Sequence, residues 1–465
     1  MSCVTNIITL LLLALPLTSC ASTTTTLYSG EMELVTLSGS GCSEKDKTGS
    51  RIPLELELEQ GNSANGQQIT GYFTGPDIQG GRFSGNDLGQ LQVIYPDESD
   101  STTQGHTLML TTSPEGANGE LHEKPRADST NCYYEKAVLK LKHEATGNKA
   151  KLEYDRQSKL FSATAYYSSG QLLLKVDKPE EAIRDLTMSL NLRTMVNPND
   201  PEKAYPAVSI AIAHVMAGRE AEALAILRNL FGDKSETGNA LIKQRSTASD
   251  SLCNNVLSLE SFAGQKASMQ LMDVAAQKFG NLNEVAVHLA ACYFELGKER
   301  KEQDDPDLAI DFFQRALKLN PGDPNSISGV VMSLLDKEDP ADGRRYLTEH
   351  AQIFKEKAGI GPYDALLSYL YAAEAQQAEN SGDMLRAEQL SREALKASPG
   401  ERVLVIKLTR VLGKAGKYAE ARKLLNDSSK GCGDDACRQE YADELARQDL
   451  LERMVKRLQA HSGMH

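Results

Sequence analysis

Residues 289–321 read LAACYFELGKERKEQDDPDLAIDFFQRALKLNP. Apolar side chains recur here every three or four residues, the spacing of one helical face. The run Asp304-Asp305-Pro306-Asp307 breaks that spacing. It lacks the Gly and the distal Glu of a calcium loop, so it reads as a solvated turn capping a helix. The stretch therefore predicts two helices joined by a turn. In the second, Phe313, Ala316 and Pro321 follow Ala309 at intervals of 4, 7 and 12. Small alanines let two helices approach closely, and the larger Phe fills the gap between hairpins. Pro321 ends the helix because it has no N–H to donate.

The same logic recurs on both sides. Gly382, Ala387, Ala394 and Pro399 repeat it, as do Gly416, Ala421 and Leu425. Earlier copies run through Gly218, Ala223 and Leu227, and through Gly170, Ala182 and Leu186. Ala309 to Gly343 and Ala387 to Ala421 are each 34 residues. Over about 155–428 the chain thus resembles the tetratricopeptide repeat family. The resemblance implies a right-handed superhelix of about six or seven hairpins whose first helices line a concave, partner-binding face. Carried over helix by helix, that face holds Tyr167, Gln171, Tyr205, Phe294, Asn325, Met332, Tyr369, Gln376 and Arg410. Tyr and Arg are common interface anchors; the alternative is that several of these side chains pack between hairpins. The Lys/Asn set with which some members clamp a C-terminal carboxylate is not at these places.

The repeats are irregular. Residues 299–305 (ERKEQDD) are seven extra, enough for two more turns of the first helix. Other aligned alanines are 41, 86 and 78 residues apart. Residues 232–252 are polar and read as a long loop, and 255–280 as a hairpin that hardly matches. A charged amphipathic helix over about 439–459 suits a cap for the last hairpin, within a terminal segment 432–465.

Upstream, over 27–148, the period changes to two. Leu54-Glu55-Leu56-Glu57-Leu58-Glu59 alternates strictly, as a strand with one wet face does. Residues 91–95 (LQVIY), 107–111 (TLMLT) and 137–141 (AVLKL) read similarly. Asn65-Gly66 and Asn118-Gly119 are hairpin signals. The echo GYFTG at 71–75 and GRFSG at 81–85 suits adjacent strands of one meander. Six to eight strands are expected, in a small sandwich or barrel. The Gly-rich runs 38–41 and 80–87 read as turns, or as a cradle for a ligand. The fold class is therefore α+β multidomain: a small all-β sandwich or barrel, then an all-α solenoid of tetratricopeptide type over 150–431.

Residues 7–17 (IITLLLLALPL) are the one stretch apolar enough for a membrane, and too short to span one, which needs about 20 residues. They fit the core of a signal peptide over 1–19. Leu17-Thr18-Ser19-Cys20 resembles the lipobox of bacterial lipoproteins. That resemblance implies cleavage before Cys20, lipidation of its sulfur and acylation of its amino group. Ala21 in place of Asp implies the outer membrane, and the expected placement there is facing the periplasm. Residues 20–26 read as a lipidated, flexible tether. The alternative is an ordinary cleaved signal with Cys20 incidental.

Of eight cysteines, Cys3 leaves with the signal and Cys20 is lipidated, leaving six. In an oxidising compartment six thiols permit three disulfides in 15 pairings. Cys42–Cys132, Cys253–Cys292 and Cys432–Cys437 each fall within one domain or loop; buried thiols are the alternative.

A net charge of −13 without a basic stripe interleaved with aromatics argues against nucleic acid. His122-Glu123 and His143-Glu144 lack the second His of a zinc protease. No haem-attachment motif, phosphate loop or dinucleotide fingerprint occurs, so neither catalytic residues, nor a metal, nor a cofactor are expected. The expected function is a membrane-anchored scaffold or adaptor, partnered by other envelope proteins in assembly or secretion. The alternative is a ligand- or glycan-binding module on the β domain.

Overall fold

The computed structural model describes residues 23–38, 48–63, 66–75, 78–95, 106–122, 133–232, 238–259 and 261–462. The expected signal peptide, Cys20, Cys42 and Cys132 lie outside them. The chain divides into two compact units, one of residues up to 226 with 259–264, the other of 227–258 and 265 onward.

The first unit opens with eight strands: β1 (Thr23–Ser38), β2 (Arg51–Ser63), β3 (Gly66–Gly75), β4 (Ile78–Gly85), β5 (Leu91–Ile94), β6 (Thr107–Ser113), β7 (Gly116–His122) and β8 (Tyr133–Thr146). Each is antiparallel to the next, and β8 closes on β1, so the β domain is a barrel. Closure removes both sheet edges. Alternation sets the two faces: Leu54, Leu56 and Leu58 point into the lumen with Met32, Leu34, Ile69, Phe83, Leu91, Leu108 and Leu139. The lumen is thus a packed core.

The echoed segments pair with each other in register, Gly71 opposite Phe83 and Phe73 opposite Gly81. A Cβ on Gly71 would sit 2.1 Å from the Phe83 ring, and one on Gly81 2.5 Å from that of Phe73. Each ring lies over the facing glycine, which explains both the glycines and the rings. Residues 80–85 are accordingly strand and not a turn. The Asn118-Gly119 signal also misleads: both residues lie inside β7, and the turn is made by Pro114 and Glu115. Gly119 is there for close approach, since a Cβ would meet the Met109 carbonyl at 2.4 Å. Thr23 to Thr26, read as tether, pair with residues 58–61 of β2. β-branched threonines suit that pleated surface.

Strand gives way to helix between Thr146 and Asn148, while the compact unit extends to residue 226. The helices that start in this part are α1 (Asn148–Lys175), α2 (Pro179–Val196), α3 (Ala204–Met216) and α4 (Glu220–Phe231), the last running past its boundary. α1 starts directly after β8 and lies against the outer wall at β1, β2, β3 and β8. The later helices are α5 (Asn239–Ser258), α6 (Phe262–Phe279), α7 (Asn283–Glu302), α8 (Pro306–Leu319), α9 (Pro324–Asp336), α10 (Pro340–Glu349), α11 (Ala351–Ala358), α12 (Ile360–Asn380), α13 (Met384–Ala397), α14 (Arg402–Lys414), α15 (Tyr418–Ser429) and α16 (Asp435–Ser462). Among the described residues none is long and apolar enough to cross a membrane.

Six helical hairpins share one turn. Between α1/α2, α3/α4, α7/α8, α9/α10, α12/α13 and α14/α15 one residue has positive φ: Asp177, Gly218, Asp304, Glu338, Gly382 and Gly416. Asp305, Asp339 and Asp383 then cap the second helices of three of them by accepting the N–H of Leu308, Asp342 and Arg386. Phe313 shows why the repeat carries an aromatic. It is 1% exposed, and a Cβ on Gly297 of α7 or Gly329 of α9 would fall 2.6 or 2.7 Å from its ring. Two bare backbones make the slot one ring fills.

The polar stretch 232–252 is not a long loop, because α5 begins at Asn239. Its buried face is mixed: Ala248, Leu252 and Val256 form a narrow apolar stripe at i, i+4 and i+8, flanked by buried Arg245, Ser249, Ser251 and Asn255. Most of the polar atoms are partnered. Arg245 Nε donates to the Phe231 carbonyl at 2.6 Å and Nη1 to Glu284 at 2.6 Å. The sulfurs of Cys253 and Cys292 lie 2.14 Å apart, and those of Cys432 and Cys437 2.06 Å, both disulfide distances. Residues 255–280 are the end of α5 and a single helix, α6, rather than a hairpin.

Candidate protein-interaction surface

In the second unit, α12 and α14 are first helices of adjacent hairpins and α16 follows the last. Gln376 of α12 and Arg410 of α14, both expected on the groove, line one cavity of about 250 Å³. Lys407, Lys414, Arg447 and Gln448 share it. Lys407, Arg410 and Lys414 are spaced i, i+3, i+7, hence on one helix face. Arg410 Nε donates to Glu444 at 3.0 Å, and Arg447 stands 3.9 Å from the same carboxylate. Glu444 is buried and also accepts from Gln448 Nε2 at 2.9 Å. Lys414 pairs with Glu379. Lys407 is exposed and has no ion pair among the described residues. The cavity is thus a small pocket with a cationic rim, backed by a buried carboxylate that holds the rim in place.

The other expected residues divide. Tyr369 is 52% exposed on α12, and Asn325 stands exposed in the first turn of α9. Met332 is half-buried. Phe294 packs inward, its ring 5.6 Å from Phe313 with the Lys298 ammonium 5.7 Å over it. In the first unit, Tyr167, Gln171 and Tyr205 meet one another. Gln171 donates to Tyr167 Oη at 3.1 Å and to Ser209 Oγ at 2.6 Å, and the two tyrosine rings are 6.3 Å apart. Burial pushes the Tyr167 phenol pKa up. That trio ties α1 to α3. Sequence reasoning names Arg410 of the basic rim but misses Lys407 and Lys414, although the i, i+3, i+7 spacing of the three is readable. It also missed Arg447 and Gln448, because α16 was read only as a cap.

A second feature lies in the first unit, where α1 covers the barrel wall. Thr70 and Tyr154 hydroxyls are 2.7 Å apart, and Tyr72 Oη donates to Ser158 at 3.1 Å. Tyr72 also meets the Tyr154 ring at 5.2 Å and the Phe161 ring at 5.7 Å. Beside these contacts runs a groove of about 1180 Å³ lined by both barrel and helix. Glu57, an outward residue of β2, is 0% exposed and neither carboxylate oxygen has a hydrogen-bond partner. Burial, then Glu153 and Glu55, push its pKa up to about 8. Arg156 acts in the opposite direction.

Residues 290–323 match the family model described as Tetratricopeptide repeat, over the segment whose geometry is given above. The match supports a protein-interaction scaffold for this part of the chain. Among curated proteins, none matches. Similar solved structures include the C-terminal part of a TPR repeat-containing protein from Cytophaga hutchinsonii, at 12% identity and TM-score 0.30, covering 60% of this chain and 99% of that one. BtubC from P. vanneervenii aligns at 15% identity and TM-score 0.27 over 50% of this chain and 90% of that one. The P58(IPK) TPR domain aligns at 14% identity and TM-score 0.23 over 63% and 89%. Alignments this loose carry no argument about function.

Proposed function

We propose that this chain is a lipid-anchored scaffold of the bacterial envelope that holds partner proteins on the first-helix faces of its repeats. The observation that carries the reading is the meeting of Gln376 and Arg410 in one pocket with a cationic rim. Such a rim favours an acidic partner segment, because opposite charges steer encounter and fix register. Exposed Tyr369 on α12 offers an aromatic anchor on the same first helix as Gln376. The lipobox-like Leu17-Thr18-Ser19-Cys20 supports attachment to the outer membrane, facing the periplasm. Two cysteine pairs at disulfide distance suit an oxidising compartment. On this reading the chain binds and positions other envelope proteins in assembly or secretion, and is not an enzyme.

Cys20→Ser tests the anchor: the protein should leave the membrane fraction, and continued sedimentation with membranes would remove lipidation from the account. For the pocket, Lys407→Glu and Arg410→Glu should each abolish partner retention by the full-length protein, while Lys396→Glu, on α13, should not.

The groove between α1 and the barrel favours a second reading, a ligand module on the β domain. Its walls bring Tyr72 and Phe161 together with Lys140, Arg156 and Arg193, a mixture suited to a polar ring. Because the lumen is filled, such a ligand would sit on the outer wall. A saturable rise in thermal stability with one glycan or small molecule, lost in Tyr72→Ala, would favour it.

A further inference from the structure

We propose that Glu55, Glu57 and Glu153 form a site for a hard divalent cation, with calcium the ion it fits best. The three carboxylates come from two elements, β2 and α1, and one oxygen of each lies within 4.8 Å of the others. Ligands around one Ca²⁺, each at about 2.3–2.6 Å, stand at most about 4.6–5.2 Å apart, so a single ion can touch all three. Proximity of acidic groups is common; the distinguishing feature here is Glu57. Its side chain is wholly buried, turned into the cluster, and without a hydrogen bond at either oxygen. A buried carboxylate needs a proton, a cation or donors; the backbone N–H of Glu57 and the Arg156 charge favour its ionised form less than burial and the two neighbouring carboxylates oppose it.

The surroundings bear on which ion. Glu55 is exposed and lines the open groove, so water can complete the coordination from that side. Glu57 is sealed from solvent, which disfavours Mg²⁺, an ion that keeps several of its waters, and favours the readily dehydrated Ca²⁺. No His or Cys belongs to the set, which removes the ligands that zinc and copper prefer. The competing cation is Arg156, which bonds Glu153 Oε1. Gln157 Nε2 donates to that same oxygen at 3.0 Å, leaving Oε2 for the ion. When bound, the ion would clamp α1 to β2 and so couple the first repeat to the barrel wall.

The test uses the full-length protein and Tb³⁺, a luminescent stand-in for Ca²⁺. The chain has no Trp, so sensitised emission must come from tyrosine, and Tyr154 adjoins Glu153. Emission should saturate with one site and be displaced by Ca²⁺ more readily than by Mg²⁺. Glu57→Gln and, separately, the exposed Glu55→Gln should weaken binding at least about tenfold by removing ligand charge. Glu59→Gln, on the same barrel face but paired with Lys151, should bind like the parent. Arg156→Gln should bind more tightly, because Glu153 loses its competitor. Circular dichroism of each variant confirms folding. Absence of saturable binding up to about 1 mM Ca²⁺, or equal binding by Glu55→Gln and the parent, would overturn the site and leave Glu57 as a carboxyl that simply holds its proton.

Discussion

Replacing Arg245 with methionine removes the charge at the centre of α5 while keeping an unbranched stem of similar shape. The guanidinium is 3% exposed and makes two bonds of 2.6 Å, to the Phe231 carbonyl and to Glu284. The variant leaves that carbonyl without its donor, a cost of about 1–3 kcal/mol. It also leaves a largely buried carboxylate without its cation, since the Glu284 side chain is only 18% exposed. Breaking a buried pair from one side costs about 3–5 kcal/mol, and that term dominates. The double variant Arg245→Met with Glu284→Met removes the stranded charge and should recover most of the loss, leaving roughly the carbonyl's share. The hydrogen bond from Arg245 holds the Glu284 pKa below the usual carboxylate range. This contribution is therefore present above the ordinary carboxylate pKa and lost as pH falls through the depressed folded value. Urea denaturation of the full-length protein, followed by circular dichroism and by amide exchange over 239–258, measures both effects. A loss under about 1 kcal/mol with unchanged exchange in α5, or a double variant no better than the single, would refute the packing of α5.

Gly329→Ala should cost about 1–3 kcal/mol by overpacking the Phe313 slot, and Phe313→Leu in the same chain should restore part of it; an additive loss in the double variant would contradict that contact. Cys253→Ser opens a loop closed across a separation of 39 residues, worth about 4 kcal/mol in the chain-entropy account, and reductant should lower the parent's denaturation midpoint by at least as much, because it also opens Cys432–Cys437. In cation-free buffer the raised Glu57 pKa makes the folded state hold a proton that the unfolded chain releases, so stability should fall as pH rises from about 4.5 toward about 8. The slope is at most about 1.4 kcal/mol per pH unit, Glu57→Gln should flatten it, and a parent that gains stability over that window would reverse the argument.

What the sequence made legible followed its periods. The alternation of Leu54 to Glu59 placed three leucines in the barrel core, and the spacing of Ala309, Phe313 and Ala316 marked a buried stripe of α8. Local signals failed where tertiary contact reassigned a residue. Asn118-Gly119 has turn chemistry, but β7 uses the glycine to approach β6 closely. α5 hid because buried Arg245, Ser249, Ser251 and Asn255 dilute its stripe of Ala248, Leu252 and Val256, and the partners of Arg245, Phe231 and Glu284, lie 14 and 39 residues away. Glu57 had every mark of a wet strand position; only α1, reached some ninety residues later, buries it. In the groove, residue type gave no means of separating Phe294, which packs on Phe313, from Tyr369, which stays exposed.

The central claim, that partners are held at the α12–α14–α16 pocket, is tested most directly by site-specific photocrosslinking in cells. A photoreactive residue at Gln376 or Lys407 of the full-length protein should give the same discrete adducts, and adding Arg410→Glu should erase them. The same residue at exposed Leu385, on α13, should give none of these. Adducts at Leu385 matching those at Gln376, or pocket adducts indifferent to Arg410→Glu, would contradict the account.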